Sequence, residues 1–457
     1  MNKNICIVGA GTYGSYLAHC LLEKDPSINI KLIEVGNNKI KSEAEIGYIT
    51  QITKEQYNAA SKGRFFGLGG TSAKWGGQLL FLSENDLRNN PTMDHVKNIN
   101  IKYQNKVLSK FFKNIPELKE INIENDLYIK TGIWLNFKKR NLFKFFKLQN
   151  YKPRLDVLTN ARVIKINETY NKITSLTILK DNIELEIQAD VFYITCGALE
   201  SVRLLSNSNI INLENESNGF ADHISTRTFT IKSNSTLFCN HDFSYKFING
   251  SLITTRIIGE IDGASYYIQP VFNEKFIFFN FLKNLIFKNT FIFSDFTKSL
   301  KQLYHIFPFV SNYIFKNKLY VYKNWYINID IETNDINNKL TISKNLDKYN
   351  QNGLDINFNI SNSTIEKIYK VKDIIKKLLI NQNIEFTEAS SKEQSLKLED
   401  TYHPFRLYNK KTSFTKRFNP VSNMYVCNTG LLDCAGGVNP TAVLFCVIED
   451  HVEKSYI

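Results

Sequence analysis

Three glycines and one carboxylate near the start of the chain have the types and spacing to hold a diphosphate and a ribose. Gly9, Gly11 and Gly14 form a G-x-G-x-x-G run, and Glu34 lies 20 residues beyond the last of them. Gly9 allows a tight turn, Gly11 lets a pyrophosphate reach the backbone, and Gly14 lets a helix and a strand pack closely. The N–H groups at the helix start, around Thr12 and Tyr13, then face the phosphate, helped by the helix dipole. A carboxylate at Glu34 can accept hydrogen bonds from a ribose diol and repels a 2′-phosphate. A second segment, from Gly67 through Gly69, Gly70, Thr71, Ser72, Trp75, Gly76 and Gly77 to Gln78, holds five glycines in twelve residues. It cannot be an ordinary helix or strand, and its N–H groups can lie against a flat or anionic ligand.

These residues need elements to position them, and the surrounding pattern supplies them. Ile5-Cys6-Ile7-Val8 reads as a buried strand before the first glycine run, and a helical pattern through Ser15, Leu17, Ala18, Leu21 and Leu22 follows it. The run Ile30-Lys31-Leu32-Ile33 is a second strand ending at Glu34. Strand, glycines, helix, second strand and acid in this order predict a dinucleotide-binding fold, without choosing between FAD and NAD. Residues 91–150 are helical in pattern. From 155 short alternating strands begin (155–158, 161–166, 174–179 and 185–187), predicting a small β-meander inserted in the nucleotide domain. A buried strand then runs to Thr195-Cys196-Gly197, where a helix starts, giving another strand–turn–helix corner on the cofactor side. Cys196 there reads as a small buried residue rather than a reactive thiol.

A chain of 457 residues exceeds one ordinary core, so two domains are expected. The net charge of +13 comes from lysines scattered among asparagines and isoleucines, with no nucleic-acid module. Seven cysteines without a C-x-x-C pair fit a reducing compartment and neither a disulfide framework nor a zinc site. No metal-ligand spacing is evident among the histidines. The first strand starts near residue 4, leaving no room for a signal peptide, and no apolar stretch reaches the ~18 residues of a spanning helix. The expected location is cytoplasmic, with contact to the inner face of a membrane as a further reading.

Several stretches together resemble the glucose–methanol–choline (GMC) oxidoreductases. They are the first glycine run, Gly69-Gly70-Thr71-Ser72, the segment from Gly197 to Leu205, Gly219 with Asp222-His223, Leu340-Thr341-Ile342-Ser343 with Asp347 and Gly353, and Gly436-Gly437-Val438-Asn439-Pro440-Thr441. They follow the family's order and span nearly the whole chain. The resemblance implies an α/β protein: a Rossmann-type FAD-binding domain (1–90, 151–225 and 395–457) with the inserted meander, a helical excursion (91–150), and a second α+β substrate domain (226–394). It implies an FAD enzyme that oxidises the CH–OH group of an alcohol, with sugar-like and lipid-linked alcohols as the readings of its class, by hydride transfer to flavin N5, with an unknown electron acceptor. Val163, Trp75, Gly76, Cys196, Gly197, Pro440 and Thr441 join the glycines and Glu34 as expected cofactor contacts. The family's catalytic histidine falls on His403, in Tyr402-His403-Pro404-Phe405, and its partner on Asn439.

The residue types suit that reaction. An imidazole titrates near neutrality and can take the hydroxyl proton as hydride leaves, while the Asn439 amide can donate to the developing alkoxide. Asn439-Pro440-Thr441 reads as an N-cap followed by proline at the first helical position, with the helix's positive end beside the flavin. The sequence departs from the family at three places. Arg406 stands where a glycine is usual, so the loop after His403 is expected to run differently. Asp433-Cys434 replaces a usual proline, and Lys74 replaces the histidine that binds FAD covalently in some relatives, so non-covalent FAD is expected. A phenylalanine-dense stretch at 276–307, with lysines spaced along it, admits three readings: ordinary aromatic core, a lid over an apolar tunnel, or a peripheral membrane contact. A non-catalytic FAD-binding protein and a flavin-free NAD-dependent reductase are the alternative functions.

Overall fold

The computed structural model describes residues 3–53, 57, 59–124, 127–213, 219–232, 245–248, 251–272, 277, 281, 291, 293–319, 324–333, 335–389, 403–409 and 411–455. Part of the 276–307 stretch therefore lies outside the described residues.

The apolar runs predicted as strands pair in parallel. Asn4–Val8 sits at the centre of a five-stranded sheet, flanked by Val191–Ile194 and Met424–Val426 on one side and by Asn29–Ile33 and Leu155–Leu158 on the other. Parallel strands buried on both faces read as continuous hydrophobic runs, as Ile5-Cys6-Ile7-Val8 does. Helices Thr12–Lys24, Asp94–Phe111 and Pro440–Ser455 pack together on one side. Tyr16 stacks on Phe445 at 4.2 Å and donates to Glu449 at 2.7 Å, and Asn100 Nδ2 donates to the Val443 carbonyl at 3.3 Å.

The second large unit is a nine-stranded sheet containing the antiparallel ladder His223–Lys232, Asn324–Glu332, Ala264–Phe272, Ser251–Ile261 and Leu127–Trp134. The helix Asn362–Asn381 lies behind it, with the Lys372 ammonium 5.9 Å from the Phe229 ring.

Three expectations need correcting. Leu155–Leu158 is the edge strand of the parallel sheet, so the meander consists only of Ala161–Thr169, Lys172–Lys180 and Ile183–Ile187. The 91–150 excursion is not all helical. Glu120–Glu124 and Leu127–Trp134 are strands of the large sheet, and the latter is buried along almost its whole length, so period-two alternation is absent from its sequence. The ladder also starts at His223, and two strands from 226–394 lie outside it: Lys339–Leu346 pairs with Asn352–Asn357, which pairs in turn with Thr50–Ile52.

Candidate active site

A cavity of about 650 Å³ runs from the first glycine loop to the inner face of the large sheet. Its volume is in the range of cofactor and substrate sites. Helices beginning at Thr12, Ala198 and Pro440 all bring their first residues to its wall. Gly11 and Gly197, at the first two helix starts, offer no side-chain cap, which leaves N–H groups of those first turns for a ligand.

Close approach explains the glycines. A Cβ on Gly70 would lie 2.7 Å from Gly11 Cα, so the two loops meet backbone to backbone, and Gly69 N–H donates to the Ala10 carbonyl at 2.8 Å. A Cβ on Gly14 would stand 1.9 Å from the Gly9 carbonyl oxygen. The cradle is thus open only because side chains are missing, which suits a pyrophosphate.

Most of the sequence-predicted residues line this cavity: Gly9, Gly11, Thr12, Tyr13, Glu34, Gly70, Thr71, Trp75, Gly76, Val163, Cys196, Gly197, His403, Asn439, Pro440 and Thr441. Gly14, Gly69 and Ser72 do not. Gly14 sits behind the wall against Gly9, and Ser72 Oγ accepts from the Leu142 N–H at 3.2 Å, fixing the loop from outside. Glu34 is more committed than its assignment to a ribose implies. Its carboxylate accepts from the N–H groups of Ala10, Gly36 and Gly67, each at 2.9 Å. Burial raises its pKa, and those three bonds pull it back. An ionised carboxylate has about four acceptor positions, so one remains for a ligand hydroxyl. Burial pushes the Cys196 thiol up to about 12, so it stays protonated at neutral pH.

His403 is positioned through its backbone. Its N–H donates to both oxygens of the Asp222 carboxylate at 3.2 Å, and Phe405 exchanges two backbone bonds with Ala221. Thr429 Oγ1 donates to the Pro404 carbonyl at 2.7 Å, tying this loop to the C-terminal segment. Burial and the nearby Arg256 guanidinium lower the His403 pKa to about 4, so the imidazole is neutral at neutral pH. Asn439 caps its helix, its Oδ1 accepting from Thr441 N–H at 3.1 Å. Its Nδ2 donates to the Gln78 carbonyl at 3.1 Å, which leaves one amide hydrogen available.

Arg406, in the loop after His403, is fixed by its own backbone and side chain. It adopts φ 60°, the left-handed conformation a glycine would supply. Its N–H donates to the Leu432 carbonyl at 2.8 Å and its Nε to the Asp433 carbonyl at 3.1 Å. Asp433, in the region where the resemblance lacks its usual proline, makes a bidentate pair with Arg417 at 2.6 and 3.0 Å. Lys74 lines the cavity.

The sheet adds residues that the sequence reading missed. His223, Ser225 and Arg227 come from one strand, Asn328 and Asp330 from the next, Tyr267, Gln269 and Val271 from the third, and Arg256 from the fourth. Polar residues two apart inside β-rich runs were the available signal. His223, named above only as part of the resemblance, lines the cavity, and burial together with His403 lowers its pKa to about 3.

At the opposite end, Tyr48 is sandwiched between the guanidinium groups of Arg162 and Arg203, 4.1 and 3.7 Å from its ring centre. Arg162 pairs with Asp347, and Glu200 pairs with both Arg64 and Arg203.

No protein-family model and no curated protein matches the chain. Solved structures do. Pyridoxine 4-oxidase from Mesorbium loti aligns with a TM-score of 0.58 at 14% identity, over 99% of both chains. Formate oxidase from Aspergillus oryzae RIB40, in a structure concerned with FAD modification, aligns with a TM-score of 0.55 at 12% identity, over 99% of this chain and 98% of that one. Likeness at this identity shows the fold alone: the parallel sheet with its packed helices and the large antiparallel sheet form an architecture shared with these two oxidases.

Proposed function

We propose that the protein is an FAD-dependent oxidoreductase that oxidises the CH–OH group of a small alcohol. The observation that carries this reading is one cavity lined at one end by the paired glycine loops and at the other by His403 and Asn439. Oxidases of pyridoxine and of formate share the architecture, one of them in a structure concerned with FAD modification. The backbone cradle at Gly11 and Gly70, the uncapped helix starts and the spare acceptor on Glu34 fit a dinucleotide diphosphate and ribose.

Bound FAD would supply the hydride acceptor. The chain supplies the rest. His403, held neutral, takes the hydroxyl proton at an imidazole nitrogen as the carbinol hydrogen leaves. Asn439 donates its remaining amide hydrogen to the oxygen as negative charge develops. The positive end of the helix Pro440–Ser455 adds a fixed favourable potential at the same place. Lys74 occupies the position of the covalent histidine, so FAD is held without a covalent bond. Acid precipitation tests this: all flavin absorbance should pass to the supernatant, and colour remaining with the pellet would refute it.

We further infer that the protein works at the inner face of an anionic membrane. The helix Ile306–Lys316 has no buried residue, and Phe307 and Phe315 are 81% and 79% exposed. Phe293, Tyr304 and Ile314 extend this apolar surface, and Lys298, Lys301 and Lys316 are exposed along it. Aromatic residues with lysines beside them suit an interfacial helix on anionic lipid. Among the described residues no helix is long and apolar enough to cross a membrane.

A further inference from the structure

The Arg256 guanidinium lies inside the cavity wall with no counter-charge of its own. Arg256 is 7% exposed and stands on the strand Ser251–Ile261, two residues from Thr254 and Ile258. Ile258 abuts Gly437 in the segment leading to Asn439, so this face of the strand looks onto the reaction end of the cavity. One Nη of Arg256 donates to Gln78 Oε1, and its guanidinium carbon lies 3.9 Å from the centre of the Tyr267 ring. Both partners are uncharged. Among the described residues the polar and ring partners of Arg256 are Gln78 and Tyr267, neither a carboxylate, and its buried Nε has no hydrogen-bond partner. Asp330, the carboxylate on this part of the wall, is engaged by Gln269 Nε2 at 2.9 Å.

A buried guanidinium with no anion beside it is costly, because its lost hydration is not replaced. Nature tolerates such a charge where a ligand completes it. The diphosphate cradle is formed by other elements, the glycine loops. The remaining neighbours of Arg256 are reaction residues. Its field bears on both His403 and His223. Gln78, which accepts from Arg256 through its side chain, accepts from Asn439 through its carbonyl. Arg256 and Asn439 are therefore anchored to the same residue.

We propose that Arg256 is the anion-recognition residue of the substrate site, and that the substrate is an alcohol carrying a carboxylate or phosphate on the same molecule as the oxidised hydroxyl. This rests on the proposed alcohol oxidation for the word substrate, but the anion site itself does not. Guanidinium groups suit both oxyanions through parallel N–H donors, and a free Nε with a neighbouring Nη offers that fork.

The experiment has two independent parts. Thermal melting of the protein as purified is followed with added acetate, inorganic phosphate, or chloride at matched ionic strength. Acetate, phosphate or both should raise the melting temperature of the wild type above the chloride control, and which one does so identifies the anion. The rise should vanish in Arg256→Gln and persist in part in Arg256→Lys. Without added anion, Arg256→Gln should melt no lower than wild type, since it removes an uncompensated charge. No anion-specific rise in the wild type, or an equal rise in Arg256→Gln, would overturn the proposal whether or not any alcohol is turned over.

The second part compares glycerate and glycerol 3-phosphate with glycerol as flavin reductants. At least one anion should exceed glycerol in kcat/KM by roughly 10- to 100-fold, the effect of one charge-assisted contact, and Arg256→Gln should bring the ratio towards one. An anion-specific melting shift with no reduction by any of the three contradicts the assignment of these compounds as substrates and leaves the anion site supported.

Discussion

At the scale of single residues, the account turns on His403 being neutral. Burial and Arg256 lower its pKa to about 4 from the ordinary 6.5. The proton-accepting form is the neutral one, so it is lost only as pH falls through about 4 and is complete above that. The acid limb of kcat/KM for an uncharged alcohol should therefore centre near pH 4, and a limb centred near 6.5 would show that the base is a solvated histidine. His403→Gln should lower kcat/KM by roughly 10²- to 10⁴-fold, the usual contribution of a general base, while the flavin stays bound. Glu34 shows what residue type alone does not reveal. The acid at the predicted position was legible, but three backbone N–H groups share it, and two of them come from loops distant in sequence.

At the scale of elements, the contact between the first helix and first strand depends on the absence of one methyl group. A Cβ at position 14 would lie 1.9 Å from the Gly9 carbonyl oxygen and 2.6 Å from Thr195 Oγ1. Gly14→Ala should force the helix Thr12–Lys24 away from the sheet and destabilise the protein by about 3 kcal/mol, the upper range of overpacking. Urea unfolding measures this, and a midpoint equal to wild type would mean that helix and strand are further apart than described. The strand–glycine–helix unit was legible because every local signal agreed, from the Ile5–Val8 run to Gly14. The strand Leu127–Trp134 was hidden because it is buried almost throughout and follows a long helix in Lys- and Asn-rich sequence. The cavity wall on the large sheet was hidden for another reason. Ser225, Gln269 and Asn328 become one surface only when strands far apart in sequence pair. Asp347 and Glu200 stood in recognised landmarks, yet their part in the ion-pair network around Tyr48 needs that same long-range pairing.

At the scale of the whole molecule, one cavity joins a parallel sheet to an antiparallel sheet, and the apolar surface lies on the connection between two wall strands. The segment containing the helix Ile306–Lys316 joins Ala264–Phe272 to Asn324–Glu332, the strands that supply Gln269, Asn328 and Asp330. Membrane docking would thus act on the element that carries part of the cavity wall. The protein should co-sediment with vesicles containing phosphatidylserine, more weakly as salt rises, and a Phe307→Ser, Phe315→Ser variant should remain in the supernatant. Equal sedimentation of that variant would place the contact elsewhere. The most direct test of the central claim is anaerobic mixing of the flavin-loaded protein with a panel of neutral and anionic alcohols while its visible absorbance is followed. The account predicts that at least one alcohol bleaches the flavin bands in the wild type and that His403→Ala, carrying the same flavin, bleaches at least a hundredfold more slowly. Equal bleaching rates in the two proteins, or a wild type whose flavin no alcohol reduces, would contradict it.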